Sequence, residues 1–485
     1  MKRLFFICSF VAPLWGHSQP MVSEEKSREI DVYLRSVMRE QEIPGIALAI
    51  LKDGQVLKEA YYGLASLEFQ VPVTEASAFW MASVSKHMTC TAIMQLHEQG
   101  ILEIDREIHT YLADAPASWK GITLRHLMTH TSGLPESGKG SERGARSARG
   151  TYSAAQMYGN AGKDTLAFPP GEGFLYSDEG IFLLGYLIHK VSGLSFREYM
   201  QKKIFDPAGM HSAYLMDQFK IHPNQVSGYA KRNGEVIPDR NSWRLIDTEI
   251  NAAGGVYATL RDMVHWERSM TEQTLLSENS KNLMWESYTL KDGRRTHYGF
   301  GWNTQRVNGK RILYHPGVSG TEYLRFPDDG LSIIVLTNQA DYVRSIAQNI
   351  SGILGISPGI SEKDIKTGTP VTYEPDLSEV KSLVGQYEFQ PNQHFYLDEK
   401  FLVEIILKQN EPWIEFPANK EIRNRFRLAK LENGRWMQLS WDPAFLEVSL
   451  ETTTGKDANR SLKVYEHDGL EEYCVGELVK VAPRD

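Results

Sequence analysis

The segment from Gly45 to Gly63 constrains the fold of this chain most. Two apolar runs, Gly45–Leu51 and Val56–Gly63, flank Asp53-Gly54. An Asp-Gly pair in that setting is a two-residue hairpin signal, because the turn that matches strand twist needs residues that tolerate positive φ. The chain therefore opens an antiparallel sheet almost at once. Comparable strand patterns return at Arg311–Tyr314, Glu322–Phe326 and Leu331–Thr337. Helical periodicity fills the interval. Before the hairpin, Ile30, Tyr33, Leu34, Val37 and Met38 mark one face of a helix over 24–42. Further helices are predicted from Ser83 to about Gln99, stopped by Gly100, then near 180–204 and 260–271, with a closing helix near 341–354. Helix and hairpin first, helices in the middle, strands and helix last: this order predicts an α+β fold. One antiparallel sheet is built from both chain ends and flanked by helices, with a helical subdomain inserted.

At 485 residues the chain has room for two or three domains. Residues 355–378 are rich in Gly, Pro, Ser and Thr without periodicity and read as a linker. Beyond it, over 379–485, short apolar and aromatic runs alternate with turn residues: Phe395–Ile406, Trp413–Phe416, Trp436–Trp441, Phe445–Leu450 and Leu462–Tyr465. They predict an all-β domain, a sandwich or a small barrel that could be lipocalin-like. Residues 24–354 form the domain before the linker. Within it, Ser137–Gly150 is loaded with Gly, Ser and Arg and reads as a surface loop or as a lid beside an active site.

A net charge of −8 with no basic run argues against a nucleic-acid partner. Three cysteines, Cys8, Cys90 and Cys474, are too few for a disulfide scaffold and fit no zinc spacing. Whether Cys90 and Cys474 pair is left open. Lys2 and Arg3 before the apolar run Leu4–Trp15, with Gly16 and Ser18 as small residues, read as an export signal over 1–18. That run is too short to span a bilayer stably, and no later segment is long and apolar enough. The expected location is periplasmic or secreted, with no membrane span after cleavage.

The literal Gly-x-Ser-x-Gly at Gly355–Gly359 opens the linker, and Pro358 lacks the N–H that a nucleophile elbow must donate. It is read as chance. Ser-x-x-Lys occurs three times, at Ser23/Lys26, Ser83/Lys86 and Ser378/Lys381. The first and last sit where helix caps are expected. Ser83 instead follows Phe79-Trp80-Met81-Ala82 and opens an apolar helix. Its spacing puts Lys86 on the same face, about 5–6 Å away. A helix N-terminus suits a developing oxyanion. A partly desolvated lysine would have a lowered pKa and could accept the serine proton. The alternative is a capping serine beside a solvated lysine.

Here the chain resembles the serine β-lactamase and penicillin-binding-protein superfamily, in its class C-like esterase and peptidase branch. The resemblance rests on F-W-M-A-S-V-S-K (79–86), I-T-L-R-H-L-M-T-H-T-S-G-L-P (122–135) and P-G-E-G-F-L-Y-S-D-E-G (170–180). It continues in F-D-P-A-G-M (205–210), A-A-G-G-V-Y-A-T (252–259), Y-G-F-G-W (298–302) and H-P-G-V-S-G (315–320). It implies Ser83 as nucleophile and Lys86 with Tyr176 as proton shuttle. Tyr158-Gly-Asn160 also matches the second motif literally, but Tyr176 follows the family's Pro-Gly lead-in. Asp178 stands where the family has Asn. An ionised Asp only accepts hydrogen bonds, so it would pair with Lys86, hold it charged and mildly favour ester over amide substrates. For the third motif His315-Pro-Gly317 is chosen over Lys366-Thr-Gly368, which lies in the linker. Pro316 requires its strand to be an edge at that point, and Gly317 would let substrate approach the backbone. The N–H groups of Ser83 and Val318 would form the oxyanion hole. His126 and His130 could be read as a metal pair, but packing is the preferred reading, and Cys90 is expected to pack beside Lys86 as a small hydrophobe.

The resemblance thus implies a hydrolase that needs no metal or organic cofactor, with a small-molecule ester, a D-amino-acid peptide or a β-lactam as substrate. β-Lactams rank last of the three. The competing reading is a catalytically weak or inactive penicillin-binding-like protein that binds cell wall or glycan.

Overall fold

A computed structural model describes residues 22–135, 151–355 and 381–480, apart from 164, 218, 233–234, 240–246, 308–309, 341–345 and most turns between the C-terminal strands. The expected export signal, the Ser137–Gly150 loop and nearly all of the expected linker, Lys366 included, lie outside the described residues.

The first helix, α1 (Glu24–Gln41), is capped by Ser23, whose Oγ accepts from the Lys26 N–H at 3.3 Å. The hairpin follows as β1 (Gly45–Lys52) and β2 (Gln55–Ser66). Asp53 and Gly54 have φ of 50° and 74°, the positive pair that the turn demands. A short β3 (Val71–Pro72) flanks β2. The other half of the sheet comes from the far end of the domain: β4 (Asn303–Val307), β5 (Lys310–Pro316), β6 (Glu322–Phe326) and β7 (Leu331–Thr337). The sheet order is β4-β5-β6-β7-β1-β2-β3, antiparallel throughout. Both chain ends therefore meet at β1 and β7, paired from Ile46↔Thr337 to Lys52↔Leu331.

Strand β1 is buried on both faces, which explains its unbroken apolar run. Its side chains alternate between two cores. Ile46, Leu48 and Ile50 pack with α1 and the closing helix α5 (Ile346–Leu354), while Ala47, Ala49 and Leu51 face the helical subdomain. At the centre of that second core lies α2 (Ser85–Glu98), buried from Ser85 through Met94. It contacts α3 (Asp178–Ser192). A further helix, α4 (Leu260–Thr271), starts from a capping box between Thr259 and Asp262.

At the C-terminal end the all-β pattern resolves into a closed antiparallel barrel of eight strands: β8 (Gly385–Pro391), β9 (Phe401–Lys408), β10 (Glu411–Pro417), β11 (Arg423–Lys430), β12 (Trp436–Gln438), β13 (Glu447–Thr452), β14 (Ser461–His467) and β15 (Glu472–Lys480). Pairing of β8 with β15 closes it, so no sheet edge is left. Among the described residues no helix is long and apolar enough to cross a membrane.

Candidate active site

Ser83 does not open α2 itself, where the sequence placed the helix start, but sits in a 3-10 turn, Ala82–Val84, just before it. The residue before it, Ala82, adopts φ of 44°, a region that side-chain-bearing residues avoid. Surrounding packing holds it there. The Met81 N–H bonds the Val256 carbonyl at 2.8 Å, and Trp80 Nε1 donates to the Gly254 carbonyl at 2.6 Å. The turn after β5 presses on the same segment, with Thr321 Oγ1 donating to the Trp80 carbonyl at 3.2 Å.

Lys86, one turn on, is completely buried. Its Nζ lies 2.9 Å from Ser83 Oγ and 3.0 Å from the Ala253 carbonyl, donating to both, and forms an ion pair with Asp178 Oδ1 at 2.8 Å. Burial alone would push its pKa down. The Asp178 carboxylate and the Tyr176 phenol outweigh burial, and the net direction is up. Of the two effects expected from the sequence, a pKa lowered by desolvation and a charge held by Asp178, the second prevails: Lys86 rests as an ammonium paired with Asp178. Tyr176 also shifts up, chiefly through burial, reinforced by Asp178 and opposed by Lys86 and by hydrogen bonds from Lys86 and Ser83. Its ring centroid lies 4.7 Å from Lys86 Nζ.

Tyr176 and Asp178 are delivered by the start of α3. Ser177 caps that helix, its Oγ accepting from the Gly180 N–H at 3.2 Å. His130 fixes the approach from the other side. Its carbonyl accepts from the Leu175 N–H at 2.9 Å and its Nδ1 from the Ser177 N–H at 3.2 Å. Its ring packs 4.3 Å from that of Tyr176. Packing was the reading made for His126 and His130, and both are used so. His126 closes the capping box with Thr123 and meets Tyr288 Oη at 3.0 Å. Among the described residues no cluster of His, Cys, Asp or Glu is arranged to hold a metal ion.

His315 lies in the wall of the site, buried, with its ring 6.4 Å from that of Tyr176. Both nitrogens are engaged. Nδ1 lies 2.9 Å from the Pro316 carbonyl and Nε2 2.8 Å from Tyr298 Oη. A carbonyl only accepts, so Nδ1 carries a proton toward Pro316, while Nε2 shares a hydrogen bond with the Tyr298 hydroxyl. The Tyr298 ring in turn packs on His130 and Tyr176. His315 thus braces the aromatic cluster behind Tyr176. The edge expected at Pro316 is present: pairing of β5 with β4 ends at Asn303↔Tyr314, two residues earlier.

Gly317 is required by close packing of its turn against the chain before Ser83. A Cβ there would stand 2.6 Å from the Met81 carbonyl and 3.2 Å from Ala82 Cβ. The space a side chain would need is taken by the segment that carries Ser83. Val318 is exposed beside it at 40%, and among the described residues no main-chain carbonyl accepts from its N–H. The rival second motif lies elsewhere: Tyr158 belongs to the helix Ala154–Ala161 and packs on Trp119 and Tyr186. Cys90 is a buried free thiol, its pKa raised by burial. Sequence reasoning missed the Ala253 carbonyl and the bracing roles of Tyr298 and His130. Only the surrounding motifs, A-A-G-G and Y-G-F-G-W, pointed near them.

A family model described as Beta-lactamase matches residues 30–353. Penicillin-binding protein 4* of Bacillus subtilis (strain 168) is 26% identical over 484 residues, covering 94% of this chain and 99% of the relative. D-aminopeptidase of Gluconobacter oxydans (strain 621H) is 28% identical over 334 residues, 64% of this chain and 59% of the relative. The fold is shared with the octameric penicillin-binding protein homologue from Pyrococcus abyssi, at a TM-score of 0.63 and 23% identity over 94% of this chain and all of that one. It is shared also with EstCE1, a hydrolase with promiscuous acyltransferase activity, at a TM-score of 0.59 and 19% identity over 68% and 98%.

Proposed function

The chain belongs to the Beta-lactamase family, and from that premise we propose that it is an exported serine hydrolase that cleaves ester or amide bonds through an acyl-enzyme on Ser83. The observation that carries the reading is the convergence of Ser83 Oγ, Asp178 Oδ1 and the Ala253 carbonyl on the enclosed Nζ of Lys86, with Tyr176 beside them. In this reading Ser83 attacks the substrate carbonyl, and Lys86 and Tyr176 carry its proton to the leaving group. The N–H groups of Ser83 and Val318 hold the oxyanion. Water then releases the acid by the reverse use of the same groups.

Esters are the favoured substrates, D-amino-acid peptides come second and β-lactams last. His315 supports this ranking, because its two nitrogens face Tyr298 and Pro316 rather than a substrate carboxylate. The likeness to a D-aminopeptidase and to EstCE1 supports the hydrolase reading in general. Export rests on the N-terminal sequence pattern. The grouping of Ser83, Lys86 and Tyr176 supports catalysis over an inactive wall-binding module.

The test is Ser83→Ala against Ser23→Ala, assayed on short-chain p-nitrophenyl esters, a D-Ala-D-Ala peptide and a chromogenic cephalosporin. Ser83→Ala should abolish turnover while leaving urea unfolding nearly unchanged. Ser23→Ala should keep full activity and lose about 1 kcal/mol of stability as a helix cap. Retained hydrolysis in Ser83→Ala would remove the assignment.

A further inference from the structure

Asp178, which stands where the resembled family has Asn, puts an anion in the wall of the site with few groups to bind it. An ionised carboxylate accepts roughly four hydrogen bonds. Among the described residues its one ionic or hydrogen-bonding partner is Lys86, and Oδ1, though 2.8 Å from Nζ, accepts no well-aligned hydrogen bond. Lys86 has little more to offer, because Nζ also donates to Ser83 Oγ and to the Ala253 carbonyl. The charge on Asp178 is favoured by position: it is the first residue of α3, where a helix N-terminus suits an anion. Its side chain is 15% exposed, while that of Lys86 is fully enclosed. A molecule entering the site therefore meets the carboxylate and not the ammonium.

We propose that Asp178 is a specificity-determining residue that selects substrates whose acyl part carries a free amino group next to the scissile carbonyl: aminoacyl esters first, aminoacyl amides after them. The proposal rests on the hydrolase reading and names its substrate class. Lys86 Nζ lies 2.9 Å from Ser83 Oγ and 2.8 Å from Asp178 Oδ1, so the carboxylate stands within two hydrogen-bond lengths of the nucleophile. An acyl group on Ser83 carries its α-nitrogen two bonds beyond the carbonyl carbon, within reach of that carboxylate. The α-ammonium supplies the donors that Lys86 lacks, in charge-assisted hydrogen bonds. An N-acylated or purely hydrocarbon acyl group brings no cation, and on binding it strips water from an anion that it does not pair. A site built to hydrogen-bond a substrate group discriminates against the analogue without it.

The surroundings bring little competing charge. The titratable groups coupled to Asp178 are Lys86 on α2, Tyr176 ahead of α3, and Tyr298. Behind them stand Cys90 on α2, His130 and His315 of β5. Burial raises Tyr176, Tyr298 and Cys90 and lowers His130, so these four are neutral from pH 7 to 9. His315 keeps both nitrogens bonded, to Tyr298 and to Pro316. The α-amino group of the substrate, with an ordinary pKa of about 7.7–8.0, then titrates inside this window.

The experiment compares alanine methyl ester, in both enantiomers, with methyl isobutyrate, its isostere with a methyl group in place of the amine. The readout is the ratio of the two kcat/KM values. At pH 7 that ratio should be at least about tenfold lower in Asp178→Asn than in the wild type. A ratio is needed because Asn also removes the group that raises the Lys86 pKa, a change felt by both substrates alike. From pH 7 to 9 the wild-type ratio should fall as the substrate amine loses its charge, and it should fall less in Asp178→Asn. Equal ratios in the two enzymes overturn the proposal, since a merely structural role of Asp178 lowers both substrates together. If Asp178→Asn does not fold, competition in the wild type decides: at pH 7 alaninamide should inhibit methyl isobutyrate hydrolysis at least about tenfold more tightly than isobutyramide, and equal inhibition overturns the proposal. A folded wild type that hydrolyses neither ester and takes no fluorophosphonate label on Ser83 overturns the hydrolase reading and the proposal together. Ester hydrolysis without the Asp178→Asn shift overturns the proposal alone.

Discussion

Gly317→Ala isolates the contact between the turn after β5 and the segment that carries Ser83. The added Cβ would lie 2.6 Å from the Met81 carbonyl oxygen, where ordinary contact begins at 3.4 Å. The obstacle is backbone, and it belongs to the strained segment that holds Ala82 at φ of 44° in front of Ser83. Neither side can yield by rotating a side chain, so the turn and the Met81–Ala82 peptide must separate by about 0.8 Å. A misplacement of about 1 Å costs roughly 10²-fold in rate, so kcat/KM should fall by about 30–100-fold, equal to about 2–3 kcal/mol of transition-state stabilisation. Overpacking should also cost about 1–3 kcal/mol of folding stability. The assay is ester hydrolysis beside urea unfolding. Gly159→Ala is the control, because nothing lies within 4 Å of its Cβ and its φ is not positive. It should be silent in activity and neutral or slightly stabilising. A Gly317→Ala enzyme with unchanged kcat/KM and unchanged unfolding would refute the reasoning.

His315→Ala should lower kcat/KM at least about tenfold, roughly 1.4 kcal/mol, because Tyr298 Oη loses its hydrogen-bond partner and the aromatic backing of Tyr176 loosens. Lys366→Ala should have almost no effect, and the reverse result would show that the third motif is misplaced. Acid should destabilise the fold through its buried imidazoles. Burial lowers the pKa of His87, His130 and His126, that of His126 to about 4. The folded state then binds fewer protons than the unfolded chain, so stability is full above pH 6.5 and is lost as pH falls from there toward about 4. Urea midpoints across that window should fall. His87→Phe should flatten the fall, since neither ring nitrogen has a partner among the described residues and the ring stacks on Trp302 with centroids 4.3 Å apart. Midpoints independent of pH would sink this account.

Much of the architecture was legible because it is written in local periodicity. Asp53-Gly54 needs only its own backbone to specify a turn, and the alternation of Ile46, Leu48 and Ile50 with Ala47, Ala49 and Leu51 needs only the pleat of a strand to address two cores. The resemblance carried by a few motifs was enough to point to Ser83, Lys86, Tyr176, Asp178 and His315, and these five are gathered into one neighbourhood. The barrel was visible as strands but not as a closure, because pairing of β8 with β15 joins segments at opposite ends of that region.

What the sequence by itself determined, then, was which residues meet and on which elements they ride. Tertiary structure decided how each behaves. For Lys86 the sequence offered two opposed effects, desolvation by an apolar helix and a charge held by Asp178, without saying which wins. Its actual direction is the balance of burial against Asp178 and Tyr176, delivered by a different helix. Gly317 was noted for a substrate's approach, but the sequence could not show that its missing side chain is demanded by the Met81 carbonyl. His315 was chosen as the third motif, and its nitrogens are committed to Tyr298 and Pro316. In each case the local pattern names a functional group, while its charge, space and free valence are sums over neighbours from distant segments. Those sums exist only once the chain has folded.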